Sequence, residues 1–151
     1  MTEFPRYAVY YAPAADTLLA TFGAGLLGYD AWTGCELDFP VEVVDAVPDW
    51  SELTTDARKY GFHATLKAPF ALAHARSEAE LCEACANFAA TPRTIPLIRP
   101  VLEAISGFTA VIPGAASPAL QEFAAACVLA FEPFRAQMTA DDRARRKPEL
   151  M

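Results

Sequence analysis

Arg58-Lys-Tyr-Gly-Phe-His-Ala-Thr-Leu-Lys-Ala-Pro-Phe70 is the stretch that decides how this chain is read. Aromatic and apolar residues alternate with polar ones across it, which predicts a strand over residues 60–70. Alternate side chains of a strand share a face. His63, Thr65 and Lys67 then point one way, and Phe62, Ala64 and Leu66 the other. The second set suits a core. The first places an imidazole, a hydroxyl and an ammonium along about 14 Å of strand. An imidazole can move a proton near neutral pH. A hydroxyl can donate to a phosphoryl oxygen, and an ammonium can neutralise its charge. Gly61 allows close backbone approach, which suits a site and equally suits a bulge. The plain alternative is a half-exposed strand with its polar residues in water, and the tripeptide His-x-Thr does not by itself decide between the two.

Outward from this strand, residues 4–12 are aromatic and β-branched and predict another strand. Asp16 is a candidate cap for a helix over 17–27, with Gly28 at its C-terminal end. Residues 29–57 look irregular, with a short strand near 41–45. Ser77 and Glu80 form a capping box that opens a helix over 78–90. Residues 95–104 and 107–112 look extended, with Ser106-Gly107 as the bend between them. Ser117-Pro118 starts a helix that runs to about 131, and Pro133 kinks or breaks the apolar side that Phe134 and Met138 extend. Thr139-Ala-Asp-Asp142 resembles a further helix start close to the end of the given sequence.

The chain has 151 residues, 54% of them hydrophobic and 21% charged, with a formal net charge of −7. That fits one domain or two small lobes and excludes intrinsic disorder. No 18-residue stretch is free of polar breaks, so no membrane helix is expected. The acidic balance argues against general binding to duplex nucleic acid, although a small phosphate ester needs only a few local donors. Arg143, Arg145, Arg146 and Lys147 form a basic cluster, read as a solvated helix face or tail, with a phosphate or nucleic-acid patch as the alternative. No secretory signal opens the sequence, which points to a reducing, cytoplasmic setting. Cys82 and Cys85 form a CxxC inside a helical pattern, while Cys35 and Cys127 stand alone, so structural thiols are expected, with no metal and no cofactor. His74 lacks a threonine two places on and is read as a loop residue.

The run from Tyr60 to Phe70 resembles the first of two His-x-Thr motifs of the 2H phosphoesterase superfamily. It is most similar to the DUF1045 branch, the group associated with phosphonate metabolism. Arg6-Tyr-Ala-Val-Tyr-Tyr-Ala-Pro13 resembles that branch's opening strand, and Leu27-Gly-Tyr-Asp-Ala-Trp-Thr-Gly34 its Leu-Gly-x-Asp-x-x-Thr-Gly segment. Gly107-Phe108, Glu132-Pro-Phe-Arg-Ala136 and Arg145-Arg146 fit as well. The resemblance implies an α+β, LigT-like fold: an antiparallel sheet with helices packed on one side, one lobe largely complete and the second truncated. Residues 1–138 would form the N-terminal part of that domain, and 139–151 a basic segment beginning a truncated helix.

The resemblance also implies a chemistry. Two His-x-Thr strands flank a cyclic phosphodiester of the 2′,3′ or phosphoribosyl type. One histidine takes a proton from water, the other protonates the leaving alkoxide, and the threonines hold phosphoryl oxygens without a metal. His63 would be one acid/base and Thr65 one phosphoryl donor, with Lys67 and Tyr60 on the cleft wall. A second His-x-Thr is absent from these 151 residues, so the chain alone is expected to be weak or inactive. The alternative is a non-catalytic module that binds a phosphate ligand or associates with another copy through an exposed face. A dimer that shares two copies of His63 is a third arrangement.

Overall fold

The computed structural model describes residues 5–105 and 108–138. The fold is α+β, and the chain divides into two compact units: Val9–Thr65, and Met1–Ala8 together with Leu66–Met151. In place of one continuous antiparallel sheet, the described residues form three two-stranded ones. The first pairs β1 (Arg6–Tyr11) with β4 (Ala64–Ala71). The unit boundary falls within both of these strands.

In the Val9–Thr65 unit, α1 (Leu18–Leu27) is capped by Thr17, not by Asp16 as expected. Thr17 Oγ1 accepts from the Ala20 amide at 3.2 Å and donates to the Ala14 carbonyl at 2.7 Å, so the residue that can do both wins the cap. Gly28 ends the helix at φ 66°, as the sequence predicts. A tight antiparallel hairpin follows, β2 (Tyr29–Asp30) with β3 (Cys35–Glu36).

The expected strand near 41–45 is instead α2 (Val41–Ala46). Its valines favour a strand locally, but no neighbouring strand offers a ladder there among the described residues. The backbone bonds to itself, Val44 N to Pro40 O at 3.2 Å and Val47 N to Val43 O at 2.8 Å. Two more single turns, α3 (Trp50–Leu53) and α4 (Thr55–Arg58), lead back to the His63 segment. Trp50 Nε1 donates to the Leu26 carbonyl at 2.7 Å and ties α3 to the end of α1.

The second unit has its core between two helices. α5 (Glu78–Ala90) opens with the predicted capping box, both halves formed by Ser77 and Glu80. α6 (Pro118–Phe131) opens with Ser117 accepting from the Leu120 amide at 3.2 Å. Phe88 of α5 packs on Phe123 and Phe131 of α6 at centroid distances of 6.5 and 5.3 Å. Leu81, Cys127, Phe131, Phe134 and Phe70 are buried. Pro133 ends α6 in a 3-10 turn over Glu132–Phe134. The chain then runs back beside β4, with Ala73 N bonded to Phe134 O and Ala136 N to Ala71 O, both at 2.8 Å.

β5 (Pro100–Ile105) and β6 (Phe108–Pro113) form the expected hairpin, from Pro100 opposite Pro113 to Ile105 opposite Phe108. Residues 95–99 lie outside it. Every side chain of β5 is exposed. The expected basic segment and helix start at 139–151 lie outside the described residues.

Gly23 of α1 is a contact point. A methyl group there would overlap the Phe62 ring, so the helix can approach the His63 segment only without a side chain. Gly25, two residues along the same helix, has open space within 4 Å. Gly23→Ala should therefore destabilise by about 1–3 kcal/mol through overpacking, whereas Gly25→Ala should be neutral or stabilising by up to about 1 kcal/mol. Urea unfolding of the two variants checks both signs.

Candidate active site

The decisive stretch departs from its predicted form at its start. Gly61 has φ 69°, a left-handed conformation open to glycine at low cost. β4 begins only at Ala64, so His63 precedes the strand and escapes its alternation. That left-handed turn places His63 against a cavity of about 430 Å³ within the Val9–Thr65 unit. Tyr10, Tyr29, Trp32, Tyr60, Phe62 and His63 form its aromatic wall. Alanines from β1 to α1, together with Thr21 and Asp30, supply much of the rest. No lysine or arginine lines it among the described residues.

His63 is held on three sides. Its Nδ1 lies 2.9 Å from the Gly61 carbonyl oxygen. A carbonyl only accepts, so Nδ1 carries the proton and the neutral ring keeps its lone pair on Nε2. The Tyr10 ring stacks on the imidazole with centroids 3.8 Å apart and 30° between planes. Tyr60 meets it edge-on at 6.3 Å. One ring nitrogen is thus anchored, and the other has no hydrogen-bond partner among the described residues.

The sequence-predicted residues divide into two groups. His63 and Tyr60 share the cavity wall. Thr65 is the second residue of β4 and is exposed. Lys67 was expected to share an open face with them and does not. It belongs to the other compact unit and is only 5% exposed. Its Nζ donates to Glu132 Oε2 at 2.7 Å and to the Val128 carbonyl at 3.1 Å, with the Phe70 ring 5.4 Å away. A buried ammonium needs a paired carboxylate, and Glu132 meets that need. His74 is exposed in a turn.

Tyr10, Tyr29, Trp32 and Phe62 were not singled out as site residues. Their signal was the aromatic density of the opening strand and of the segment from Leu27 to Gly34. In that segment Asp30 builds the hairpin loop. Its Oδ1 accepts from the Trp32 amide at 2.8 Å and its Oδ2 from the Thr33 hydroxyl at 2.9 Å. These bonds, the amide first, hold its carboxyl below the usual range. The four cysteines are free. Burial pushes the Cys85 and Cys127 thiols up, away from the reactive thiolate. Among the described residues no group of three or more potential metal ligands occurs, and no helix is long and apolar enough to cross a membrane.

Residues 65–151 match the family described as "Protein of unknown function (DUF1045)". That is more than half of the chain, and the chain belongs to this family. It is 34% identical over 146 residues to a ribose 1,5-bisphosphate phosphokinase PhnN of Janthinobacterium sp. (strain Marseille), covering 94% of this chain and 31% of that protein. It is 38% identical over 133 residues to the protein of the same name from Laribacter hongkongensis (strain HLHK9), covering 84% of this chain and 30% of that one. The chain thus spans less than a third of the length of these curated relatives. No solved structure matches it.

The pairing of Lys67 has a pH signature. Arg135, then Lys67, hold the Glu132 carboxyl down to about 2, against an ordinary 4.5. Protonating Glu132 is harder in the folded chain than in the unfolded one. Its contribution is therefore complete above pH 4.5 and is lost as pH falls through about 2. An acid-unfolding curve should show this slope in the wild type and lose it in Glu132→Gln. Glu132→Ala should cost about 1–3 kcal/mol, because the buried ammonium keeps only a carbonyl. Lys67→Met, which removes the charge itself, should cost less.

Proposed function

We propose that this chain carries one half of a 2H-type phosphoesterase site, acting on a small cyclic phosphate ester in a phosphonate-related pathway. One observation supports this above the others: His63 stands in a cavity wall with Nδ1 bound to the Gly61 carbonyl and no hydrogen-bond partner for Nε2 among the described residues. In the forward step Nε2 takes a proton from water as the water oxygen bonds to phosphorus. The phosphorus–oxygen ester bond breaks, and the leaving alkoxide takes a proton from a second acid. Thr65 donates its hydroxyl to a phosphoryl oxygen. Tyr60 borders the reacting group.

Lys67 takes no part in this scheme, because Glu132 and Val128 already hold its ammonium. The cavity lining has no cation among the described residues, so it favours the uncharged portion of a substrate, with the phosphate outside it near Thr65. The relatives' names support a phosphorylated-sugar context, since both name ribose 1,5-bisphosphate. The GxxxxGK[ST] loop that cradles nucleotide phosphates does not occur in these 151 residues. Phosphoryl transfer from a nucleotide is therefore not assigned to this segment.

With one His-x-Thr motif the chain should be far slower than a longer relative on the same ester. Where turnover is measurable, by ³¹P NMR on 2′,3′-cyclic nucleotides and on a cyclic ribose phosphate, His63→Ala should lower kcat at least about 10²-fold. Thr65→Ala should lower it less. Wild-type turnover in His63→Ala would exclude the acid/base role.

A second reading is favoured by the β5–β6 hairpin. Leu102, Val111 and Val101 are 76%, 62% and 43% exposed on a two-stranded ribbon, and such ribbons are marginal alone. A second copy of the chain is the partner that this reading names. Sedimentation equilibrium should then show concentration-dependent dimers that Leu102→Glu abolishes, whereas a monomer at all concentrations would exclude it.

A further inference from the structure

We propose that the Asp30 hairpin loop is a positioning device for His63, fixing its tautomer through Ala31 and Gly61. The inference rests on the reading of His63 as a proton acceptor, but it concerns the ring itself and can be tested apart from turnover.

Asp30 makes the shortest bonds that close the loop, with a longer one from the Cys35 amide to Thr33 Oγ1 at 3.4 Å. Its two carboxylate oxygens accept from Trp32 and Thr33, and its carbonyl accepts from the Gly34 amide at 2.8 Å. Three bonds onto one residue leave Ala31 little freedom. The Ala31 methyl stands where a side chain on Gly61 would have to go. On its other side, the Gly61 amide donates to the Arg58 carbonyl at 3.0 Å. Gly61 is thus gripped between the hairpin loop and the end of α4. Its left-handed backbone turns its carbonyl toward His63, 2.9 Å from Nδ1. The stacked Tyr10 ring limits the tilt of the imidazole. The carbonyl direction decides which nitrogen keeps the proton, and Ala31 is the contact that holds that direction.

This assigns a task to the segment from Leu27 to Gly34 that its polar residues do not suggest. Asp30 borders the cavity and could be taken for a base or a ligand-binding carboxylate. Each of its carboxylate oxygens already accepts a bond from its own loop. Asp30 therefore acts through the loop, as a positioning residue.

The experiment is long-range ¹H–¹⁵N NMR of histidine-labelled chain at alkaline pH, with exposed His74 as the internal comparison. In the wild type His63 should be predominantly the Nδ1–H form. In Asp30→Ala that form should fall to a minority, while Asp30→Asn should keep it, since the amide can accept from Trp32 and donate to Thr33. Circular dichroism establishes that each variant is folded. If Asp30→Ala does not fold, Ala31→Gly decides, because it removes the abutting methyl and leaves the Asp30 bonds in place. It too should lose the Nδ1–H preference. A wild-type ring in the Nε2–H form would overturn the proposal. So would a folded Asp30→Ala, or in its absence Ala31→Gly, that keeps the wild-type tautomer, or an Asp30→Asn that loses it. If the tautomer behaves as expected and no ester is hydrolysed, only the catalytic reading falls.

Discussion

Three consecutive residues, Gly61, Phe62 and His63, are set by close approach from two other elements. Phe62 lies over Gly23 of α1, where no side chain fits, and Gly61 lies against Ala31 of the hairpin loop. Neither contact survives an added methyl without something moving, because packed interiors leave no slack of that size. His63 follows directly on these two anchors. Its orientation is inherited from packing that contains no catalytic group. A site built this way needs a rigid frame more than it needs many polar contacts, and the ring hydrogen bond to Gly61 makes Nδ1 the protonated nitrogen of the neutral ring.

The other unit solves a different problem. Lys67 enters its interior from β4, and an unpaired ammonium there would be costly. Glu132, at the turn created by Pro133, supplies the carboxylate and shares it with Arg135. The same turn lets the chain run back beside β4 through Phe134 and Ala136. The Glu-Pro-Phe-Arg segment noticed in the sequence is thus a structural joint. Breaking the pair by removing one partner is therefore costly, although an apolar replacement of the whole pair need not be.

Features carried by local chemistry were legible in the sequence. The Ser77–Glu80 box, the Ser117-Pro118 start, the Gly28 cap and the β5–β6 hairpin depend on residues within a few positions of one another. Their geometry comes from the side chains that satisfy the helix ends and turns. The α+β class was implied by the family resemblance, and the structure has it. The features that escaped the sequence depend on distant partners. Lys67 looked like a site residue because Glu132 is 65 positions away. His63 looked like a strand residue because the left-handed turn at Gly61 is stabilised by Ala31, thirty positions earlier. Val41–Ala46 looked like a strand because nothing local shows that a pairing strand is missing. The aromatic wall of the cavity draws on Tyr10, Trp32 and Tyr60, which only the fold brings together.

Membership of the DUF1045 family covers residues 65–151, and the similarity to the two PhnN proteins extends over most of the chain. His63 stands just before the family match and near the end of the aromatic cavity unit. The central claim is that this end of the unit receives a phosphate ester. The most direct test is a titration of the ¹⁵N-labelled chain with a 2′,3′-cyclic nucleotide, followed at the His63 ring and the Thr65 amide. The account predicts saturable shifts at both, a Thr65 shift that is lost in His63→Ala, and no response at Lys67. Shifts that centre on Lys67, or none at His63 and Thr65 at saturating ligand, would contradict it.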